Sequence, residues 1–95
     1  MKETGTLDIK IMEMAQRIRE LREIEGISEQ KMAKLTGISV EEYIKCEKGE
    51  KDLNFAFIYR CALAFGVNVT DIIDGVSPKL KSYTVTRRGE GQRIE

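Results

Sequence analysis

From Ile11 the chain repeats apolar residues at three- and four-residue steps, through Met14, Ile18 and Leu21 to Ile24. Glu13, Arg17, Arg19, Glu20, Arg22 and Glu23 fill the other positions. That period predicts an amphipathic helix, and Gly26 predicts its left-handed stop. The first ten residues carry no clear period and predict a frayed arm. A second helix is predicted after Ser28, a good N-cap, with Glu29 at the positive end of its dipole. Met32, Ala33 and Leu35 give it a short apolar face, and Gly37 closes it. Ile38 reads as a staple residue, and Ser39 with Glu42 fits a capping box for a third helix. Tyr43, Ile44 and Cys46 supply its apolar face, and Gly49 stops it. After the polar loop Glu50–Leu53, Asn54 caps a fourth helix with Phe55, Ile58, Ala62 and Phe65 inward, ended by Gly66. A short fifth helix over Val69–Ile73 opens at Asn68 or Thr70 and closes at Asp74-Gly75.

Val76-Ser77-Pro78 breaks this pattern. Tyr83-Thr84-Val85-Thr86 then favours a strand, which Gly89-Glu90-Gly91 ends. One strand is not stable alone, so the tail needs another chain or residues past Glu95. The predicted fold class is all-α: a five-helix bundle with a short C-terminal β-strand. Residues 1–10 form an arm, 11–75 the bundle, and 76–95 a linker and strand.

Composition narrows the chemistry. The 95 residues are 41% hydrophobic and 34% charged, which suits one small packed domain. There is no histidine, so the commonest general base and metal ligand are missing. Cys46 and Cys61 make no C-x-x-C pair and cannot complete an ordinary zinc site. No nucleophile–base pair or phosphate-cradling glycine loop stands out, so an enzyme is not expected, and no cofactor is. No stretch approaches the roughly 18 apolar residues of a membrane span, and the N-terminus has no apolar signal core. A reducing, cytoplasmic setting without membrane attachment is expected. Cys46 and Cys61 are expected as inert core residues, Tyr43 and Tyr59 as half-buried packing, and Met12, Met14 and Met32 as gap-fillers. Net charge is zero, but unevenly spread: eleven basic against fourteen acidic residues up to Gly75, five against two beyond.

Two short helices about a tight Gly37 turn are the sequence form of a helix-turn-helix. Residues 11–73 resemble the Cro/repressor-type, or XRE-like, helix-turn-helix family. The resemblance rests on Ile18-Arg19-Glu20-Leu21-Arg22, Gly26-Ile27-Ser28 with Met32-Ala33, and Thr36-Gly37-Ile38-Ser39. Glu47-Lys48-Gly49-Glu50-Lys51, Ala62-Leu63-Ala64-Phe65-Gly66-Val67 and Asp71-Ile72-Ile73 complete it. It implies a sequence-specific transcriptional regulator that binds double-stranded DNA as a homodimer, with helix three, residues 39–48, in the major groove. It implies an ion pair between Arg22 and Glu47. It places Ser39, Val40, Glu41 and Lys45 against base edges and nearby phosphates, and Gln30, Lys31, Lys48 and Asn54 along the phosphate-facing edges. Lys45 is expected on a base, and Ser39, Lys48 and Asn54 on phosphate. Arg87-Arg88 is expected as a solvated strand end.

The chain departs from the family in charge. Glu29 stands where the family usually has a phosphate-touching glutamine, and Glu41 occupies a readout position, where it can accept from cytosine. Between Ser28 and Asn54 there are five lysines and six acids, a balance that predicts weak binding by one copy at physiological salt. The alternative expectation is therefore a protein-interaction module that keeps the scaffold with little DNA affinity. Residues 82–91 resemble the opening strand of the cupin domain that follows this helix-turn-helix in one regulator subgroup.

Overall fold

The stripe from Ile11 to Leu21 lies on α1, which spans Lys2–Glu25 and so starts nine residues before the stripe does. The structure is a computed structural model and describes residues 2–75, with side chains from Leu7 onward. The arm expected over residues 1–10 is thus replaced by helix from Lys2. Ile11, Met14, Ala15 and Ile18 are buried and fix the helix. Once such a nucleus exists, each added residue brings one hydrogen bond, so helix extends past the buried stripe. Leu7 and Ile9 are exposed, which is why no apolar period announced this stretch. Lys10 pins it by donating to the Asp74 carboxylate at 2.9 Å. That bond holds the Asp74 carboxyl below the usual carboxylate range. Ile24 ends the predicted stripe but is exposed.

Three caps lie where short polar residues predicted them. Helix α2 spans Glu29–Thr36, and Ser28 Oγ accepts from Lys31 N at 3.0 Å. Helix α3 spans Val40–Glu47, and Ser39 Oγ accepts from Glu42 N at 3.1 Å. The Glu42 carboxylate lies instead 3.8 Å from Lys51 Nζ, away from a reciprocal box. Helix α4 spans Phe55–Phe65, and Asn54 Oδ1 accepts from Phe57 N at 2.8 Å. Helix α5 spans Val69–Asp74, and Asn68 N donates to Asp71 Oδ2 at 2.9 Å.

Side chains from all five helices meet at Ile18, Met32, Tyr43, Cys61 and Ile72, which are nearly or wholly sealed from solvent. Helix α1 packs on α3, α4 and α5, while α2 packs on α3 and α4. Arg17 Nη1 donates to the carbonyls of Ile72 and Ile73 at 2.8 and 2.9 Å, and so closes the open end of α5. Two predicted faces need correction. On α2 the exposed Leu35 yields to buried Thr36, whose hydroxyl donates to Met32 O at 2.7 Å and needs no water. On α4 the exposed Phe55 yields to buried Phe57. Met12 is exposed rather than a core filler, Tyr43 is fully buried, and Tyr59 is exposed. The strand expected at 83–86, Arg87-Arg88 and the cupin-like stretch lie outside the described residues.

The turn between α2 and α3 depends on Gly37. Its φ is +77°, and its N–H donates to Ala33 O at 2.8 Å. A Cβ there would lie 3.1 Å from Arg60 Nη1, which itself donates to Thr36 O at 3.1 Å. Gly37→Ala is expected to cost about 1–2 kcal/mol for the left-handed backbone alone, and more for crowding Arg60. Gly26→Ala, at φ +70° with nothing within 4 Å, carries only the backbone cost. Urea midpoints should therefore rank Gly37→Ala below Gly26→Ala; equal midpoints would remove Arg60 from the argument.

Candidate functional site

Helix α3 is fixed from its inner side by a buried polar cluster. Arg22, from α1, donates through Nε to Glu47 Oε2 at 2.6 Å and through Nη2 to Glu47 Oε1 at 3.2 Å. Its Nη1 donates to Ile27 O at 3.1 Å. Tyr43, one turn before Glu47, donates its hydroxyl to the same carboxylate. Glu47 is only 4% exposed, so it is a buried charge with a cation and a phenol to satisfy it. The Glu47 hydrogen bond holds the Arg22 guanidinium above its usual range. Burial first, and Glu47 second, push the Tyr43 phenol up, so it remains a proton donor.

With that side locked, the opposite side of α3 faces solvent. Glu41, Lys45 and Lys48 are exposed, and their four- and three-residue spacing sets them along one face. Val40 and Ile44 are half-buried beside them. Ser39 is exposed at the start of α3; its oxygen is taken by the cap, which leaves the hydroxyl proton to donate. Gln30 and Lys31 are exposed on the first turn of α2. Asn54 is exposed at the start of α4, with Oδ1 committed to Phe57 N. The α2–turn–α3 unit thus collects Gln30, Lys31, Ser39, Val40, Glu41, Lys45 and Lys48, with Asn54 on the following helix.

Two acids near this face have cations nearby. Glu29 Oε2 lies 3.8 Å from Arg22 Nη2 and joins the edge of the buried cluster. Glu42 stands opposite Lys51, across the loop that follows α3. Sequence reasoning passed over Lys51, because no helical spacing connects it to Glu42; the loop brings it back. Glu41 stays on the exposed face beside the lysines.

The other candidate chemistry is sparse. Cys46 and Cys61 are free and buried, and burial pushes both thiols up, which suppresses the reactive thiolate. A shallow cleft of about 180 Å³ runs along α1, lined by Glu13, Gln16, Arg17 and Glu20. Among the described residues no three His, Cys, Asp or Glu side chains group to hold a metal, and no helix is long and apolar enough to cross a membrane.

A helix-turn-helix domain family matches residues 15–78, about two thirds of the chain. The restriction-modification controller protein C.AhdI from Aeromonas hydrophila is similar at 26% identity, with a TM-score of 0.61; the match covers 65% of this chain and 94% of that one. The clp gene regulator ClgR from Corynebacterium glutamicum shares the fold at 15% identity, with a TM-score of 0.66 and 90% of each chain covered. No curated protein matches.

Proposed function

Because the chain belongs to the helix-turn-helix family of Cro/repressor-type, DNA-binding transcription regulators, we propose that it reads specific sites on double-stranded DNA as a cytoplasmic homodimer, with α3 in the major groove. The observation that carries this is the two-sided character of α3. Its inner side is locked to α1 through Glu47, while Glu41, Lys45 and Lys48 stand together on the outer side. A groove-reading helix needs that combination, since side chains must meet base edges from a fixed support.

Within this reading Lys45 bonds a base, guanine by its donor chemistry, and Glu41 accepts from a cytosine amino group. Ser39, Lys48 and Asn54 hold phosphates, joined by Gln30 and Lys31 on α2. Val40 adds apolar contact. The pairing of Glu29 with Arg22 supports the reading by removing one carboxylate from the phosphate side.

Fluorescence anisotropy of a labelled mixed-sequence duplex over a salt series tests the surface. Log affinity should fall with log salt by about 0.9 per neutralised phosphate. On a site selected from random DNA, Lys45→Ala should cost about 1–3 kcal/mol and relax preference at one base pair. Lys48→Ala should weaken every sequence alike and lower the salt slope by about one. Equal losses for Lys45→Ala on selected and random DNA would take Lys45 out of the readout set.

One observation favours a second reading. Glu41 and Glu42 are both exposed in the first turn of α3, a face that suits a basic protein partner. Absence of duplex binding at low salt by the folded protein would select that reading.

A further inference from the structure

On the outer side of α1 a glutamate is enclosed where no described element packs. Glu20 stands two residues, about 200° of helical turn, from the core residue Ile18, and so points away from the bundle. It is nevertheless only 8% exposed. The described elements reach α1 on its inner stripe and on two flanks. On one flank a Cβ at Gly49 would lie 2.9 Å from Met12 Cγ. On the other, Arg17 bonds the Ile72 and Ile73 carbonyls of α5. Gln16 and Glu20 lie between these flanks, in the cleft that Glu13 and Arg17 also line. Gln16 donates to Glu20 at 3.0 Å, but a neighbour on the same helix cannot roof it. A glutamate is almost never enclosed to this degree unless it is paired.

We propose that this side of α1 is the docking surface of the chain's own basic segment, residues 76–95, and that lysines or arginines of that segment cover Glu20 and Glu13. Two observations fix the occupant. The first is where the segment begins. Asp74 is held to Lys10 at 2.9 Å, so residue 76 starts beside α1. Lys10 and Glu20 are about 15 Å apart along the helix, a distance that about five extended residues cross. Twenty residues follow Gly75. The second is charge. The segment carries five lysines and arginines against two glutamates, and the strip offers Glu13, Glu20 and, one turn on, Glu23. A duplex would meet carboxylates here and be repelled. A short tether gives an effective concentration of roughly millimolar, which favours the attached segment over a free basic peptide.

The strip lies opposite the inner stripe that packs on α3. Docking therefore neutralises the segment's charge on the far side of the body from Lys45 and Lys48. Glu13 remains half in solvent, so added salt loosens the contact.

Trypsin cleavage after Lys79, Lys81, Arg87, Arg88 and Arg93 of the full chain tests the docking, read by mass spectrometry beside a free peptide of residues 76–95. Cleavage tracks the population of the undocked state, and at low salt the wild-type segment should be cut about tenfold more slowly than the peptide. Glu13→Gln with Glu20→Gln should bring the rate to that of the peptide, and about 0.5 M salt should do the same to the wild type. Glu25→Gln with Glu50→Gln removes as many charges elsewhere and should leave the protection in place. Circular dichroism establishes that each variant is folded. Protection should be equal at about 100 μM and about 1 μM, as a contact within one chain requires. Four results would each overturn the proposal. They are a wild-type segment cut as fast as the peptide, protection that survives Glu13→Gln with Glu20→Gln, an equal loss from the Glu25 and Glu50 pair, and protection that fades on dilution. The last marks a segment docked on a second copy.

Discussion

Arg22→Ala should lower stability by about 3–5 kcal/mol, the cost of stranding one partner of a buried ion pair. The residue left behind decides the size. Glu47 is 4% exposed and would be left with only the Tyr43 hydroxyl for support. Ile27 O would lose a donor as well. The reverse change is milder: Glu47→Gln keeps the shape, and Arg22 can lean toward Glu29, 3.8 Å away. Its cost should be about 1–3 kcal/mol. Urea midpoints should therefore fall in the order wild type, Glu47→Gln, Arg22→Ala. A double-mutant cycle with Arg22→Ala and Glu47→Ala should show strong coupling, since the second change removes the charge that the first stranded. An Arg22→Ala midpoint equal to wild type would contradict the whole account of how α3 is held.

Phe57→Ala should cost about 3–5 kcal/mol. The ring is 6% exposed and lies 5.9 Å from the Tyr43 ring, so its loss opens a cavity beside the residue that orients Glu47. Phe55→Ala, two positions earlier and 64% exposed, should change stability by less than about 0.5 kcal/mol. Thermal midpoints of the two variants give the comparison. Equal losses would mean that α4 is rotated from the orientation described.

That pair of phenylalanines also shows where sequence reasoning reaches its limit. On α4, Phe55 and Phe57 fit the apolar stripe almost equally well, because a helix this rich in apolar residues has no sharp polar boundary. The choice is made by contact with Tyr43, which no local pattern contains. Caps were legible for the opposite reason. Ser28, Ser39 and Asn54 act on amides three residues away, so their chemistry is complete within a few positions. Thr36 replaced Leu35 because a hydroxyl can satisfy itself on the preceding turn. Residues 2–10 became helix although Leu7 and Ile9 stay exposed, and periodicity detects only buried faces. Of the candidate site, both the positions on α2 and α3 and the Arg22–Glu47 pair were legible from family resemblance. The neighbours of Glu29 and Glu42 were not, since both depend on where a different element ends.

The enclosure of Glu47 has a practical consequence for experiments that vary ionic strength. Dissolved ions weaken attractions between solvated charges over a distance of about 10 Å at 0.1 M, but they do so far less for groups shut away from water. The duplex contacts proposed for Lys31, Lys45 and Lys48 fall in the screened class, and the Arg22–Glu47 bond lies in the protected one. Added salt should therefore strip the protein from a polyanion while α3 keeps its seat, so the curve reports release from the duplex and not loss of the native state.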